Sequence, residues 1–114
     1  MPYLLVQTNV SVDTKNKTAL LKSLSSTTAT ALGKPESYVM VALEDSTSMI
    51  FAGSDAPLAY LELKSIGLPE DKTTELSSTL CSAINEALNI DTNRIYIEFA
   101  DAARSMWGWD SRTF

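Results

Sequence analysis

Displaced by 56 residues, the offset from Leu20 to Leu76, the chain falls on itself. Leu20, Leu24, Ala31 and Leu32 land on Leu76, Leu80, Ala87 and Leu88, and Leu5 lands on Leu61. The run Ala31–Asp45 overlies Ala87–Asp101 without a gap. Twice that offset spans nearly all of the 114 residues. The reading is one domain over 1–114, made of two pseudo-repeat halves, about 1–56 and 57–114. A repeat of this length has room for a strand, a crossover helix and a second strand, and little else.

Both halves carry that pattern. In the first, Pro2–Val10 alternates as a strand does, with Leu4, Val6 and Thr8 set against Tyr3, Leu5 and Gln7. Asp13 or Thr14 suits a helix N-cap. The helix then runs to about Leu32 with Leu20, Leu21, Leu24, Thr28, Ala31 and Leu32 on one stripe, Gly33 at its C′ position and Pro35 beyond. Tyr38–Glu44 is a near-continuous apolar run, read as the returning strand. Met49–Phe51 reads as a short extra strand. In the second half, Leu58–Ser65 is the strand, Glu70–Leu88 the helix with Leu76, Leu80, Ile84, Ala87 and Leu88 inward, and Arg94–Phe99 the returning strand. The expected fold is α/β: two βαβ half-repeats forming a four-stranded mixed sheet with two helices on one face. The opposite face is then left without a cover, and the apolar content of Tyr38–Leu43 favours an oligomer that packs over it.

Composition narrows the chemistry. Lys plus Arg number 9 and Asp plus Glu 14, for a net charge of −5. That balance argues against nucleic acid or an anionic membrane as the main partner. No apolar run approaches the roughly 20 residues of a membrane helix, and Tyr3–Val6 is too short for a signal-peptide core, so the expected compartment is the cytoplasm. There is no histidine, which excludes a Ser-His-Asp triad and any His-ligated metal. The single cysteine, Cys81, excludes an intrachain disulfide and a Cys-rich zinc site, and it falls on the buried stripe of the second helix. An acid–base enzyme built from this chain must use a carboxylate, Lys, Tyr, Cys or the chain terminus.

Three features carry such chemistry. Pro2 either simply opens a strand or, once Met1 is removed, presents a secondary amine. An α-amine titrates near 7.7–8.0, and burial or a nearby cation lowers that value, making the neutral amine a general base. Lys34, just past the first helix, is either a solvated cation favoured by the helix dipole or a carboxylate-binding group. The tail Trp107-Gly108-Trp109-Asp110-Ser111-Arg112-Thr113-Phe114 holds three aromatics, which serve as core or interface anchors or as the wall of a small-molecule pocket.

Pro2 opening an apolar strand, Thr8-Asn9-Val10, Gly33-Lys34-Pro35, Ser65-Ile66-Gly67, Arg94-Ile95-Tyr96-Ile97, and Gly108-Trp109 followed by Ser111 and Thr113-Phe114 resemble the macrophage migration inhibitory factor family of the tautomerase superfamily. The resemblance runs along essentially the whole chain. Gly33–Met40 looks nearest to the plant and cyanobacterial branch. The resemblance implies a homotrimer whose sheets wrap a central channel. It also implies keto–enol tautomerisation of phenylpyruvate-like aromatic 2-keto acids and dopachrome analogues. Pro2 would be the catalytic base and Lys34 the carboxylate ligand. Ile66 would make a backbone contact with Ser65 beside it, and Trp107, Trp109 and Phe114 would lie near the pocket wall. Tyr96 and Glu98 would come from the neighbouring subunit. No metal or organic cofactor is implied. A cytokine-like binding protein on the same scaffold is the alternative. A third possibility, a related dehalogenation or decarboxylation, would draw on Glu98 with Arg94 or Arg112. The animal proteins carry a Cys-x-x-Cys pair after the central proline. Here Pro57 is followed by Leu58-Ala59-Tyr60-Leu61, so thiol–disulfide chemistry is not expected. The animal proteins usually have Asn at the Glu98 position and a small aliphatic residue at the Trp107 position.

Overall fold

The computed structural model describes residues 1–114. Its main sheet has four strands, β1 (Tyr3–Thr8), β2 (Met40–Glu44), β3 (Ala59–Ile66) and β4 (Ile95–Ala102), in the order β2-β1-β3-β4. β1 runs parallel to β2 and β3 parallel to β4, while β1 and β3 are antiparallel. The α/β architecture expected from the repeat is therefore present. Each half contributes one parallel pair, and the halves join through the central antiparallel one.

Helices α1 (Thr14–Leu32) and α2 (Thr73–Leu88) cover one face. Leu20 and Leu24 of α1 and Leu76, Leu80 and Ile84 of α2 pack with Leu4, Val6, Leu61 and Leu63 in a single core. Alternation along the strands follows from the pleat: Leu4, Val6 and Thr8 are buried, while Tyr3, Leu5 and Gln7 on the other face are only half-buried. α1 begins where Asp13 accepts a hydrogen bond from the Asn16 amide at 2.9 Å. It ends where Gly33 adopts φ 64, the left-handed conformation that favours glycine.

The strand register corrects one equivalence. Leu4 pairs with Val41 and Leu61 with Ile97, so the counterpart of Leu61 is Leu4, and Leu5 lies on the opposite face. The first half carries one more residue than the second between its strand and its helix, and a gapless shift cannot register it. Past that gap the 56-residue offset holds. The Val12 amide donates to the Asp45 carboxylate at 2.9 Å, and its counterpart Leu68 donates to Asp101 at 3.0 Å. Each half thus closes its strand–helix corner with an aspartate at the end of its second strand, Asp45 just past β2 and Asp101 next to last in β4.

Three boundaries differ from expectation. The run from Tyr38 is not all strand: Glu36–Tyr38 forms a 3₁₀ turn, closed by Tyr38 and Val39 amides donating to Pro35 and Glu36 carbonyls, before β2 starts. Pro35 holds the extended φ and ψ that set this turn off from α1. The stretch Glu70–Lys72 is likewise 3₁₀, so α2 begins at Thr73. Met49–Phe51 is not a strand. Ala52 and Gly53 both have positive φ, so Phe51 and Ser54 exchange backbone hydrogen bonds across a tight turn with no strand on either side. Arg94 holds this loop, donating to the carbonyls of Phe51, Ser54, Ala56 and Pro57 at 3.0–3.2 Å. No helix is long and apolar enough to cross a membrane.

The Asp45 corner has a pH signature. The Val12 amide, and then the Lys17 ammonium at 3.1 Å, hold the Asp45 carboxyl below its ordinary range. A carboxylate whose folded pKa is depressed contributes stability above its unfolded pKa, about 3.9, and loses that contribution as pH falls through the lower folded value. Asp45→Asn is therefore expected to destabilise the protein by a constant amount near neutrality, with the gap between variant and parent closing below about pH 4. Denaturant titrations at neutral and acidic pH measure it. A gap independent of pH would mean the carboxylate's charge is not what holds the corner.

Candidate active site

The cleft at the start of β1 forms from three places in the sequence. Pro2, fully buried, lies just before β1, and its carbonyl accepts from the Met40 amide at 3.0 Å, which fixes the strand entry beside β2. The 3₁₀ turn swings Tyr38 over the same spot. The C-terminal hairpin, β5 (Gly108–Trp109) and β6 (Arg112–Thr113), supplies the rest. Its connecting residues Asp110 and Ser111 have φ 51 and 64. Positive φ at both central positions is the geometry of a tight two-residue turn that matches strand twist. The hairpin places Trp109 and Phe114 in a stack, ring centroids 5.5 Å apart and planes 13° apart. Tyr38 meets both edge-on, at 5.9 and 6.2 Å. Trp107 closes the wall, its carbonyl accepting from the Phe114 amide at 3.2 Å. The enclosed cleft measures about 250 Å³ and is lined mainly by apolar and aromatic groups.

Lys34 enters from the end of α1. Its Nζ donates to the Ile66 carbonyl at 2.9 Å, a neutral acceptor, and no carboxylate pairs with it. Its charge is therefore left for the surroundings to feel. The Met1 amine, which lines the cleft, is held below its ordinary pKa by burial first and by the Lys34 charge second. Ser65 is completely buried on the helix-covered face, its hydroxyl directed at the Ile66 carbonyl at 3.3 Å. Ile66 reaches this neighbourhood through that carbonyl.

Tyr96 and Glu98 stand elsewhere in the chain. Both project from β4 on the face without helices, and β3 separates β4 from β1. Tyr96 is 65% exposed and packs against Phe51 with ring centroids 4.7 Å apart. Glu98 accepts from the Tyr60 hydroxyl at 3.1 Å, a bond shared with Glu62 at the same distance. Burial, reinforced by these two carboxylates, pushes the Tyr60 phenol up to about 12. Of the residues singled out from sequence, one chain therefore brings together Pro2, Trp107, Trp109 and Phe114. Lys34 and Ile66 adjoin them, while Tyr96 and Glu98 stay apart.

Two participants were not singled out. From sequence Tyr38 looks like the first residue of a strand, whereas it sits in the 3₁₀ turn before β2. The two-residue Asp110-Ser111 link between Trp109 and Arg112, with aromatics at alternating positions on both sides, is the signal that a hairpin gathers the tail. Cys81 is half-buried and packs against the core. No cluster of three or more carboxylates or thiols is arranged to hold a metal ion.

Comparison with known proteins agrees along the full chain. The family model described as macrophage migration inhibitory factor matches residues 1–114. A macrophage migration inhibitory factor homolog of Brugia malayi is 38% identical over 115 residues, covering 100% of this chain and 99% of that protein. The crystal structure of a macrophage migration inhibitory factor homologue from Prochlorococcus marinus superposes with a TM-score of 0.92 at 41% identity, over 98% of each chain. The Toxoplasma gondii macrophage migration inhibitory factor superposes with a TM-score of 0.90 at 34% identity, over 98% of this chain and 99% of that one. With both sequence and fold matched from end to end, the chain belongs to the macrophage migration inhibitory factor family.

Proposed function

We propose that this protein is a tautomerase of phenylpyruvate-like 2-keto acids and dopachrome analogues, with Pro2 as general base after removal of Met1. Family and fold support a tautomerase-superfamily or cytokine-like function. The observation that carries the finer reading is Pro2 buried in an aromatic cleft with the unneutralised Lys34 beside it. About 250 Å³ falls just below the usual range of small-molecule sites, roughly 300–1,000 Å³, a size for a single-ring acid.

The chemistry needs little else. Burial and the Lys34 charge, which depress the amine of Met1, act in the same sense on a Pro2 amine, so that its neutral form is populated near pH 7. Lys34 holds the substrate carboxylate, and the stacked Trp109 and Phe114 hold the ring. The Pro2 nitrogen takes a proton from the carbon beside the ketone, and negative charge develops on the ketone oxygen. Protonated Pro2 then returns that proton to the oxygen, giving the enol and restoring the neutral amine. Ile66 joins through its backbone, with Ser65 beneath it.

The full site is a trimer site in this reading. The exposed apolar loop and strand edge around Ile50, Phe51 and Tyr96 support a subunit contact that carries Tyr96 and Glu98 of one subunit toward the Pro2 cleft of the next. Protein beginning at Pro2 should sediment as a trimer and turn over phenylpyruvate, and Pro2→Gly should retain the trimer but lose about 100-fold or more in kcat/KM. Turnover unaffected by Pro2→Gly would remove the base, and no turnover by the parent would favour the cytokine-like reading.

A further inference from the structure

In the reaction proposed above, one charge has no partner. Pro2 takes the proton, Lys34 holds the carboxylate and the stacked rings hold the aromatic end. The negative charge that develops on the ketone oxygen meets no donor among them. Glu98 does not supply one, because a carboxylate only accepts, and it already accepts from the Tyr60 hydroxyl. A donor preorganised where such charge develops is among the largest contributions in catalysis of this kind.

Three side-chain hydroxyls line the cleft, those of Tyr3, Ser37 and Tyr38. None is bonded to another group of the chain, whereas the Tyr60 hydroxyl is shared by two carboxylates. Ser37 and Tyr38 lie on the exposed 3₁₀ turn, and the Tyr38 ring meets Trp109 and Phe114 edge-on, as part of the wall that takes the substrate's ring. Tyr3 stands differently. It follows Pro2 directly and opens β1, held in register between Met40 of β2 and Lys64 of β3. A strand paired on both sides fixes a side chain more firmly than a turn does. Pro2 is fully buried, as Leu4 is, while Tyr3 between them is half-buried on the other side of the strand. Base and hydroxyl therefore reach the cleft from different sides of one strand end. Enolisation needs that separation, because the departing C–H stands across the carbonyl plane and the oxygen lone pairs lie in it. We infer that Tyr3 is a further catalytic residue, whose hydroxyl donates a hydrogen bond to the ketone oxygen of the bound 2-keto acid and stabilises the enolate formed there. The phenol keeps its proton throughout, and Pro2 alone moves the substrate's. This inference rests on the Pro2-cleft reading above.

The test uses protein that begins at Pro2 and the variant Tyr3→Phe, which keeps the ring and its packing. With phenylpyruvate, kcat should fall about 100-fold, the low end for loss of one oxyanion donor, with KM little changed. Binding of 3-phenylpropanoate, which has no ketone, should be unaltered when followed by Trp fluorescence. A loss confined to KM, with weaker 3-phenylpropanoate binding, would make Tyr3 a wall residue and overturn the inference. So would full activity in Tyr3→Phe, or the kcat loss appearing in Tyr38→Phe instead. Benzoylformate, a 2-keto acid with no enolisable proton, and phenylacetate, its counterpart without the ketone, separate this from the tautomerase reading. The parent should bind benzoylformate about fivefold more tightly, and Tyr3→Phe should bind the two alike. That pattern without any turnover would refute the tautomerase alone. Equal affinity for the two acids in the parent would refute the hydrogen bond from Tyr3, whatever the turnover.

Discussion

Protein that retains Met1 is expected to turn over phenylpyruvate about 100- to 10,000-fold more slowly than protein that begins at Pro2, the range a positioned acid–base group contributes. With Met1 in place the Pro2 nitrogen belongs to a tertiary amide. Its lone pair is delocalised into the carbonyl and cannot accept a proton near neutrality. Met1 also lines the cleft, where the substrate must enter. Its own amine is depressed by burial and by Lys34, but it stands one residue, about 3.8 Å, back along the chain. A displacement that large removes the near-attack geometry on which proton transfer depends. Fold and assembly should be unchanged, because the Pro2 carbonyl still receives the Met40 amide. Mass spectrometry identifies the two forms, and steady-state kinetics on each gives the ratio. Equal rates would show that Pro2 is not the base.

The largest stability effect should come from the centre of the sheet. Leu61 is completely buried on β3, inside the core that both helices share. Leu61→Ala removes that packing and leaves a cavity between two layers that cannot fully collapse, at a cost of about 2–5 kcal/mol. Leu5→Ala should cost less, because Leu5 is only half-buried and faces away from the helices. Denaturant unfolding at one fixed protein concentration makes the comparison, the fixed concentration being required for any oligomer. A smaller loss at Leu61 than at Leu5 would contradict the strand register.

Much of the fold was legible because its signals are local. The Leu and Ala stripes of α1 and α2 repeat at helical spacing, and Gly33 and Asp13 mark the ends of α1 by their own backbone and hydrogen-bonding preferences. The strand register was less legible. A gapless shift pairs Leu5 with Leu61, but one extra residue before Val12 puts Leu4 in that place, and in a strand a single residue exchanges the two faces. The extra strand expected at Met49–Phe51 fails for a similar reason. Its residues are apolar enough, but Ala52 and Gly53 turn the chain at once and Arg94 takes the carbonyls a strand partner would need.

The site divides along the same line. Pro2, Lys34 and the tail aromatics are prominent in the sequence because their chemistry belongs to single residues: a terminal secondary amine, a cation after a helix, large rings near the end. Their meeting does not belong to any one of them. Tyr38 reaches the cleft through a 3₁₀ turn set by Pro35, and Trp109 and Phe114 reach it through a hairpin whose turn has two left-handed residues. The two arginines make the point most sharply. Arg94 and Arg112 are alike as letters, and both began as candidates for chemistry. One is used up because a loop distant in sequence brings four carbonyls to it, while the other is left free because its nearest partner is the face of a ring, which has no lone pair to accept its N–H groups. Residue identity sets what a group is able to do. Long-range packing sets whether its partners are already taken.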